Sequence, residues 1–327
     1  MSFILVTGGT GLVGSTIARM LIGQGYSVKI LRRENSNLYN VRSLDVEHCI
    51  GDVRDTASLP KAIKGCDTVF HTAAIVSFWR PLRDIQYDVN VIGTRNIVDA
   101  CLKAGIRRLV HTSSIAALGH PEPGQLATES TAFNGKSLKR GYKSSKFLAE
   151  QEIFNGIEKG LDAVIVNPSV IIGPGDIHFN GGNLIRSIRK GLVPFYLKGG
   201  MNVVYVDDVA NGEIFAWKKG RKGERYILCG ENLTHREIFA LTAEIVGGKA
   251  PRMRCPVPFV KFAARAFEFV SFLTRKQPMI SQEMVEGAGI ENWYSSEKAI
   301  KELGYSATPL RIAVEKTYRW YIENNLL

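Results

Sequence analysis

A glycine-rich turn within the first fourteen residues is the feature that most constrains the fold of this chain. A short apolar run at residues 3–6 leads into the turn, and a helical pattern follows it from residue 12 to residue 22. Gly8, Gly11 and Gly14 stand three positions apart. Glycine tolerates positive φ angles and close backbone approach, and the start of a helix offers unpaired N–H groups to a pyrophosphate. The order of strand, turn and helix therefore predicts a dinucleotide-binding unit.

Short apolar runs alternate with helical patterns along the first half of the chain. Strands that alternate with helices predict an α/β fold with a doubly wound parallel sheet, which is a Rossmann fold. Beyond residue 170 the pattern predicts a smaller, mostly helical C-terminal lobe that binds substrate. We expect the nucleotide-binding domain at residues 1–170, with residues 200–219 returning to it, and the lobe at residues 171–199 and 220–327. The predicted strands of the first domain lie at residues 3–6, 27–31, 46–50, 68–70, 109–111 and 163–166.

Composition argues against several other classes of protein. The chain has 327 residues, 45% of them hydrophobic, and five scattered cysteines without the spacing of a metal site. It shows no secretory signal and no apolar stretch of the ~20 residues that span a bilayer. These features predict a soluble cytoplasmic protein with free thiols and no bound metal. The net charge of +11 comes without a nucleic-acid-binding motif, and it indicates a basic surface or attraction to an anionic ligand or membrane surface.

Arg32 and Arg33 stand at the end of the second predicted strand. Enzymes that prefer NAD usually place an acid about 20 residues after the glycines, where it binds the 2′-hydroxyl of the ribose. An acid repels the 2′-phosphate of NADP, whereas a guanidinium pairs with it through two hydrogen bonds. The sequence therefore predicts a preference for NADP(H) over NAD(H). Because Glu34 is adjacent, a merely solvated role for the arginines stays open.

Tyr142 and Lys146 stand four positions apart at the start of a helix predicted over residues 142–158, so they share one helix face. A lysine ammonium and an oxidised nicotinamide ring lower the pKa of a nearby tyrosine from its usual value of about 10. Tyr142 can then exchange a proton with a substrate oxygen while hydride moves. Residues 111–114 end a predicted strand at the carboxyl edge of the sheet and supply a hydroxyl for the same oxygen.

Taken in order, these motifs resemble those of the extended short-chain dehydrogenases/reductases of the NAD(P)-dependent epimerase/dehydratase superfamily, over most of the chain. In that family the catalytic serine stands five positions before a glycine, and Gly119 therefore identifies Ser114 rather than Ser113. The matching motifs are the glycine turn, Gly51-Asp52-Val53, His71-Thr72-Ala73-Ala74, residues 90–96, Thr112-Ser113-Ser114, Tyr142 with Lys146, Asn167-Pro168-Ser169 and residues 205–210.

The resemblance implies that Ser114, Tyr142 and Lys146 are catalytic, and that Lys146 also hydrogen-bonds the nicotinamide ribose. It implies that Asp52 contacts the adenine and that Asn90 helps to hold the nicotinamide end. A turn-forming aspartate and a capping asparagine are the structural alternatives. The cofactor-binding residues expected in this way are Gly8, Thr10, Gly11, Leu12, Val13, Gly14, Arg32, Arg33, Asp52, Val53, Thr72, Ala73, Ala74, Asn90, Thr112, Tyr142, Lys146, Pro168 and Val170.

Two branches of the family compete. Sugar-nucleotide epimerases and dehydratases hold NAD and tend to carry an arginine for the substrate diphosphate, where this chain has Met201. The chain is more similar to the dihydroflavonol reductase and 3β-hydroxysteroid dehydrogenase branch, which acts on apolar carbonyl or alcohol substrates. We therefore expect NADPH-dependent reduction of a ketone or aldehyde on a mostly apolar small molecule. An NAD-dependent nucleotide-sugar epimerase or dehydratase is the alternative, and a non-catalytic NADP-sensing regulator is the alternative from another class.

Apolar bulk follows the His71 motif directly and is expected near the nicotinamide. Packing of Phe78 and Trp79 against a neighbouring helix is the alternative that stays open. The residues expected to line the substrate site are Val76, Phe78, Trp79, Ser114 and Tyr142.

The stretch at residues 256–273 mixes phenylalanines with Lys261 and Arg265. It predicts a helix that packs the lobe, covers an apolar cleft or makes peripheral contact with a membrane surface. The helices expected at residues 84–104 and 142–158 suit the four-helix contact through which members of the family often form homodimers.

Overall fold

Twelve strands form three sheets in the computed structural model, which describes residues 2–122, 124–134 and 141–327. The strands are β1 (Phe3–Thr7), β2 (Val28–Arg32), β3 (Glu47–Ile50), β4 (Cys66–His71), β5 (Arg108–Thr112), β6 (Ala163–Pro168), β7 (Val170–Ile172), β8 (Phe195–Tyr196), β9 (Gly200–Tyr205), β10 (Arg225–Leu228), β11 (Glu231–Thr234) and β12 (Met253–Arg254).

Eleven α-helices accompany these strands in the described chain. The helices are α1 (Leu12–Gly23), α2 (Leu59–Ile63), α3 (Arg83–Tyr87), α4 (Gly93–Ala104), α5 (Tyr142–Glu158), α6 (Asn183–Arg189), α7 (Val206–Lys219), α8 (His235–Val246), α9 (Val257–Thr274), α10 (Glu297–Leu303) and α11 (Leu310–Glu323). Each of them, among the residues that the structure describes, is too short or too polar to cross a bilayer.

The central sheet has seven parallel strands in the order β10-β6-β5-β4-β1-β2-β3, which confirms the Rossmann fold expected from the sequence. Apolar clusters lie on both faces of this sheet. One contains Ile17 of α1 and Val209 of α7, and the other contains Ile97 of α4 and Ile153 of α5. Because both faces are covered, β6 is buried along its whole length and shows the continuous apolar pattern of such strands.

The chain passes between the large sheet and the lobe more often than the sequence suggested. Of residues 200–219, β9 joins a small sheet with β7 and β11, whereas α7 packs against α1. Within residues 220–327, which the sequence placed in the lobe, β10 instead pairs with β6 and completes the large sheet. Four residues of strand pattern do not specify a partner that lies some sixty positions earlier, and this is why the sequence misplaced β10.

A π-helical turn (Asp88–Ile92) joins α3 to α4, within the single helix that the sequence predicted over residues 84–104. Turns of this kind widen a helix and are frequent at functional sites. Here the turn carries the buried Asn90.

Candidate active site

The glycine turn lies at the carboxyl edge of the sheet, between β1 and α1. Gly8 has φ of +67°, and a Cβ atom on it would come within 2.8 Å of the Ala73 backbone. A Cβ on Gly14 would come within 2.5 Å of the Gly8 carbonyl oxygen and 2.7 Å of the Thr72 hydroxyl. These two glycines are therefore required by the close packing of the turn, α1 and the end of β4.

The N-terminus of α1 is suited to bind a pyrophosphate. Its N-cap residue is Gly11, no side chain of the described residues caps the helix, and its first turn contains no acid. The N–H groups of the first turn, which includes Leu12 and Val13, are thus available to phosphate oxygens beside Thr10. This arrangement fits the dinucleotide that the sequence predicts.

The two arginines after β2 differ in their surroundings. Arg32 donates hydrogen bonds to His48 Nδ1 at 3.0 Å and to the carbonyl oxygens of Arg33 and Glu34, both at 3.2 Å. Arg33 is exposed and lines an open cavity of about 510 Å³ beside Asp52. Arg32 therefore orders the loop, whereas Arg33 presents its guanidinium to the cavity.

Asp52 borders the same cavity, but its carboxylate is already paired. Arg54 donates to it from Nε at 3.1 Å and from Nη2 at 2.8 Å, and these bonds lower the pKa of Asp52. Val53 is buried, and its side chain fills the space that a Cβ on Gly93 would occupy, at 2.6 Å. Both residues thus also have structural roles.

Asn90 holds the loop that follows β4. Its Oδ1 accepts from Ile75 N at 2.8 Å, and its Nδ2 donates to Ile75 O and to Ser145 Oγ, both at 3.0 Å. The side chain is therefore occupied by protein groups, and it fixes residues 72–75 against α5. Thr72 Oγ1 donates to the Thr7 carbonyl oxygen at 2.8 Å, which places Ala73 and Ala74 beside the glycine turn.

Ser114, Tyr142 and Lys146 meet where β5 and α5 come together. Ser114 is the N-cap of a 3-10 turn (Ile115–Ala117), where its hydroxyl accepts from Ala116 N at 3.1 Å, and it faces the Tyr142 phenol, whose pKa it lowers. Lys146 lies one helical turn after Tyr142 and donates from Nζ to the Thr112 carbonyl oxygen at 2.9 Å. The hydroxyl of Ser113 points elsewhere and donates to Glu150 at 2.5 Å. Ser114, rather than Ser113, therefore faces the phenol.

Burial controls the protonation of the pair. It raises the pKa of Tyr142, against the opposing effect of the Ser114 side chain. Burial also lowers the pKa of Lys146 to about 8, while the carboxylates of Glu150 and Glu213 act in the opposite direction. At neutral pH the phenol is thus protonated and the amine still largely charged, a state that suits proton donation.

Two buried glutamates support this centre, and the sequence did not predict them. Glu213 of α7 accepts from Thr112 Oγ1 at 2.7 Å, and burial raises its pKa to about 8. Glu150 accepts from Asn167 Nδ2 at 2.6 Å and pairs with Arg225 at 3.4 Å. Glu150 stands four positions after Lys146 on α5, a spacing that could have revealed it. Glu213 offers no comparable signal.

Two histidines lie beneath the site. His71 is bonded at both ring nitrogens, to Thr7 Oγ1 at 2.7 Å and Thr94 Oγ1 at 3.0 Å. His111 has no partner for either nitrogen among the described residues, and its ring lies 5.3 Å from that of His71. Burial lowers the pKa of His71 to about 3 and that of His111 well below its usual range. Both are therefore neutral packing residues at neutral pH.

Of the apolar residues expected around the substrate, Phe78 reaches the centre. Its ring packs edge-on against Tyr142, with the ring centroids 5.6 Å apart. Trp79 turns away and donates from Nε1 to Ser271 Oγ of α9 at 3.1 Å, while Val76 is half exposed. Val170, in β7, is also partly exposed, and Pro168 is buried at the end of β6. The structure thus gathers Phe78 but not Trp79 at the phenol.

A Rossmann fold with a glycine turn and a Ser–Tyr–Lys cluster defines a class of nucleotide-dependent enzyme. A model of the NAD dependent epimerase/dehydratase family matches residues 4–229, so the chain belongs to this family. Its relatives include proteins named as reductases and dehydrogenases. The chain is an NAD(P)-dependent oxidoreductase, as the sequence predicted.

The chain is similar over nearly its whole length to individual members of this family. It is 38% identical over 322 residues to a Synechocystis sp. protein named "Putative dihydroflavonol 4-reductase", covering 97% of this chain and 93% of that one. It is 31% identical over 326 residues to "Sterol demethylase protein B" of Methylococcus capsulatus, covering 99% of each. Among solved structures, the crystal structure of gox2253 is similar, with a TM-score of 0.89, 36% identity and full coverage of both chains.

Proposed function

We propose that this protein reduces a ketone or aldehyde on a mostly apolar small molecule, with NADPH as the hydride donor. The contact between Ser114 and the protonated Tyr142, beside the Phe78 ring, carries the proposal. An aromatic ring beside a few polar groups that orient the ligand suits an apolar substrate. The names of the two relatives, a dihydroflavonol reductase and a sterol demethylase protein, agree with such a substrate.

In this mechanism the nicotinamide cofactor, when bound, supplies the hydride. The Ser114 and Tyr142 hydroxyls donate hydrogen bonds to the carbonyl oxygen of the substrate and withdraw charge from its carbon. Tyr142 then gives its proton to the developing alkoxide. Lys146, held by the Thr112 carbonyl, keeps a positive charge one turn away that favours the resulting phenolate and binds the ribose of the cofactor.

The preference for NADP(H) rests on Arg33, which faces the cavity where the 2′-phosphate would lie. Calorimetric titration with NADPH and NADH tests it. We expect tighter binding of NADPH, and Arg33→Ser should reduce the ratio of the two affinities about tenfold or more, because one charge-assisted contact is lost. Arg107→Ser removes a similarly exposed guanidinium at the opposite edge of the sheet and should leave the ratio unchanged.

An NAD-dependent nucleotide-sugar epimerase is the second candidate, and Met201 weighs against it, since it leaves no arginine there for a diphosphate. Purified protein that retains NAD(H), or an affinity ratio that Arg33→Ser does not change, would contradict the NADPH assignment. Turnover of a nucleotide sugar in preference to apolar ketones and aldehydes would favour the epimerase.

A further inference from the structure

Helix α9 carries an apolar face that the rest of the described chain leaves uncovered. Only Ala264 and Ser271 of its 18 residues are buried. Phe262 is 69% exposed and Phe272 80% exposed, and Phe259 and Phe269 are similarly open. At ~200 Å² per phenylalanine, these four rings expose on the order of 500 Å². That area matches the largest apolar patch of a typical monomeric protein, and such patches are often functional.

The exposed residues are arranged as on a helix that lies in a membrane surface. Phe259, Phe262, Phe269 and Leu273 follow one another at spacings of three, seven and four positions, so they share one outward face. Lys261, Arg265 and Phe272 lie together along one flank of that face. A helix with aromatic residues on one face and cations beside them inserts its rings at the boundary between headgroups and acyl chains.

The charges on and beside α9 indicate which kind of surface this helix suits. No carboxylate of the described residues pairs with Lys261 or Arg265, and Glu268, the one acid of α9, turns inward to pair with Arg80 at 3.0 Å. Further exposed cations stand on either side of the helix. They are Lys249, Arg252 and Arg254 before it and Arg275 and Lys276 after it.

We propose that α9 docks this protein on the surface of a lipid bilayer that contains anionic headgroups, with its phenylalanines inserted and its flanking cations on the phosphates. Each lysine or arginine near such a surface adds about 1 kcal/mol of attraction. A second copy of the chain suits this face less well, because a twofold contact would bring the same cations against each other. The proposal is independent of the reaction that the enzyme catalyses.

Co-sedimentation of the full chain with lipid vesicles tests the proposal. We expect binding to vesicles made of equal parts phosphatidylcholine and phosphatidylglycerol and much weaker binding to phosphatidylcholine alone. The double variant Phe262→Ser/Phe269→Ser should lower the partition coefficient at least about tenfold, since it removes two inserted rings. Leu192→Ser/Ile300→Ser makes the same kind of change on exposed residues outside α9 and should bind like the unchanged protein.

A variant that lacks two cations distinguishes electrostatic attraction to lipid phosphates from nonspecific hydrophobic adsorption. Lys261→Gln/Arg265→Gln should weaken binding to the anionic vesicles about fivefold for each charge removed, and added salt should do the same. Lys103→Gln/Lys159→Gln, which removes two exposed cations away from α9, should have a smaller effect. Absence of binding by the unchanged protein would overturn the proposal. So would a dimer, seen by light scattering, that Phe262→Ser/Phe269→Ser converts to a monomer without any vesicle binding.

Discussion

Helices α5 and α9 are nearly equal in length, at 17 and 18 residues, but they differ in which side chains they bury. α5 buries seven residues, among them Lys146 and Glu150, whereas α9 buries two and exposes most of its phenylalanines. The two helices contact adjacent residues, since Phe78 packs against Tyr142 while Trp79 donates a hydrogen bond to Ser271 of α9. Hydrophobicity alone would have predicted that Lys146 and Glu150 are exposed and that the phenylalanines of α9 are buried.

The difference shows where each helix finds its partners. Charges inside α5 are tolerated because other parts of the same chain supply hydrogen bonds, as Thr112 does for Lys146 and Asn167 for Glu150. The rings on the outer face of α9 have no comparable cover among the described residues. The buried charges of α5 thus find their partners within the folded chain, whereas the exposed rings of α9 find none among the described residues.

The sharpest way to break this comparison is to truncate one residue on each helix. Glu150→Ala should lower the free energy of unfolding by about 3–5 kcal/mol, because it leaves Ser113 and Arg225 without their buried partner. Phe262→Ala should change it by less than about 0.5 kcal/mol, since that ring is mostly exposed. Urea unfolding measures both. Similar losses from the two variants would show that the helices do not differ in this way.

The next effect concerns catalysis at the start of α5. Tyr142→Phe should reduce kcat about a hundredfold or more, because it removes the proton donor while keeping the ring against Phe78. NADPH affinity, measured by calorimetry, should be little changed. Tyr318→Phe removes a phenol distant from the site and serves as the control. Retention of most of the rate would exclude Tyr142 as the proton donor.

The two buried histidines should make stability sensitive to acid. The pKa values of His71 and His111 are lowered on folding, so the folded protein binds fewer protons than the unfolded chain. Stability is therefore full above pH ~6.5 and falls by about 1.4 kcal/mol per pH unit for each histidine as the pH drops. His111→Leu loses no hydrogen bond of the described residues and should remove about half of this slope. An unchanged slope in urea unfolding at several pH values would contradict it.

The smallest expected effect is on the pH dependence of the reduction rate. Because the pKa of Lys146 lies near 8, the rate of reduction should decline as the pH rises past this value and the ammonium is lost. Glu213 raises that pKa through its charge, so Glu213→Gln should move the decline to lower pH, by about one unit or less. Lys261→Gln on α9 should leave the profile of kcat/KM where it is. A shift to higher pH in Glu213→Gln would refute this role.

Sequence patterns predicted the positions of helices and strands more fully than the contacts that their side chains make. The helix expected over residues 142–158 matches α5, which has the same bounds and Gly141 as its N-cap. The first-domain strands also agree with the expected runs, and those inside the sheet do so because strands covered on both faces are predominantly apolar. The role of Asn90 in holding Ile75 was not foreseen, since a contact across fifteen residues leaves no periodic signal.

Long-range partners account for what the sequence did not reveal. Glu213 contacts Thr112 from a helix about a hundred residues later in the chain. Arg225 of β10 likewise pairs with Glu150, which lies far earlier in the chain. The stretch at residues 256–273 was predicted to be helical, but only the folded arrangement shows that its inward face is narrow and its aromatic face open. Local periodicity specifies a helix, whereas the neighbours that cover it depend on the whole topology.

The position of β10 also bears on how the protein is made. β6 is buried throughout and has β5 on one side, but its other neighbour is a strand that the ribosome adds only after more than fifty further residues. Until then an apolar strand presents an open edge, the form most prone to pair with another chain. A nascent chain that stalls before residue 225 is therefore a candidate for chaperone binding or aggregation, although it already contains the glycine turn and the Ser–Tyr–Lys cluster.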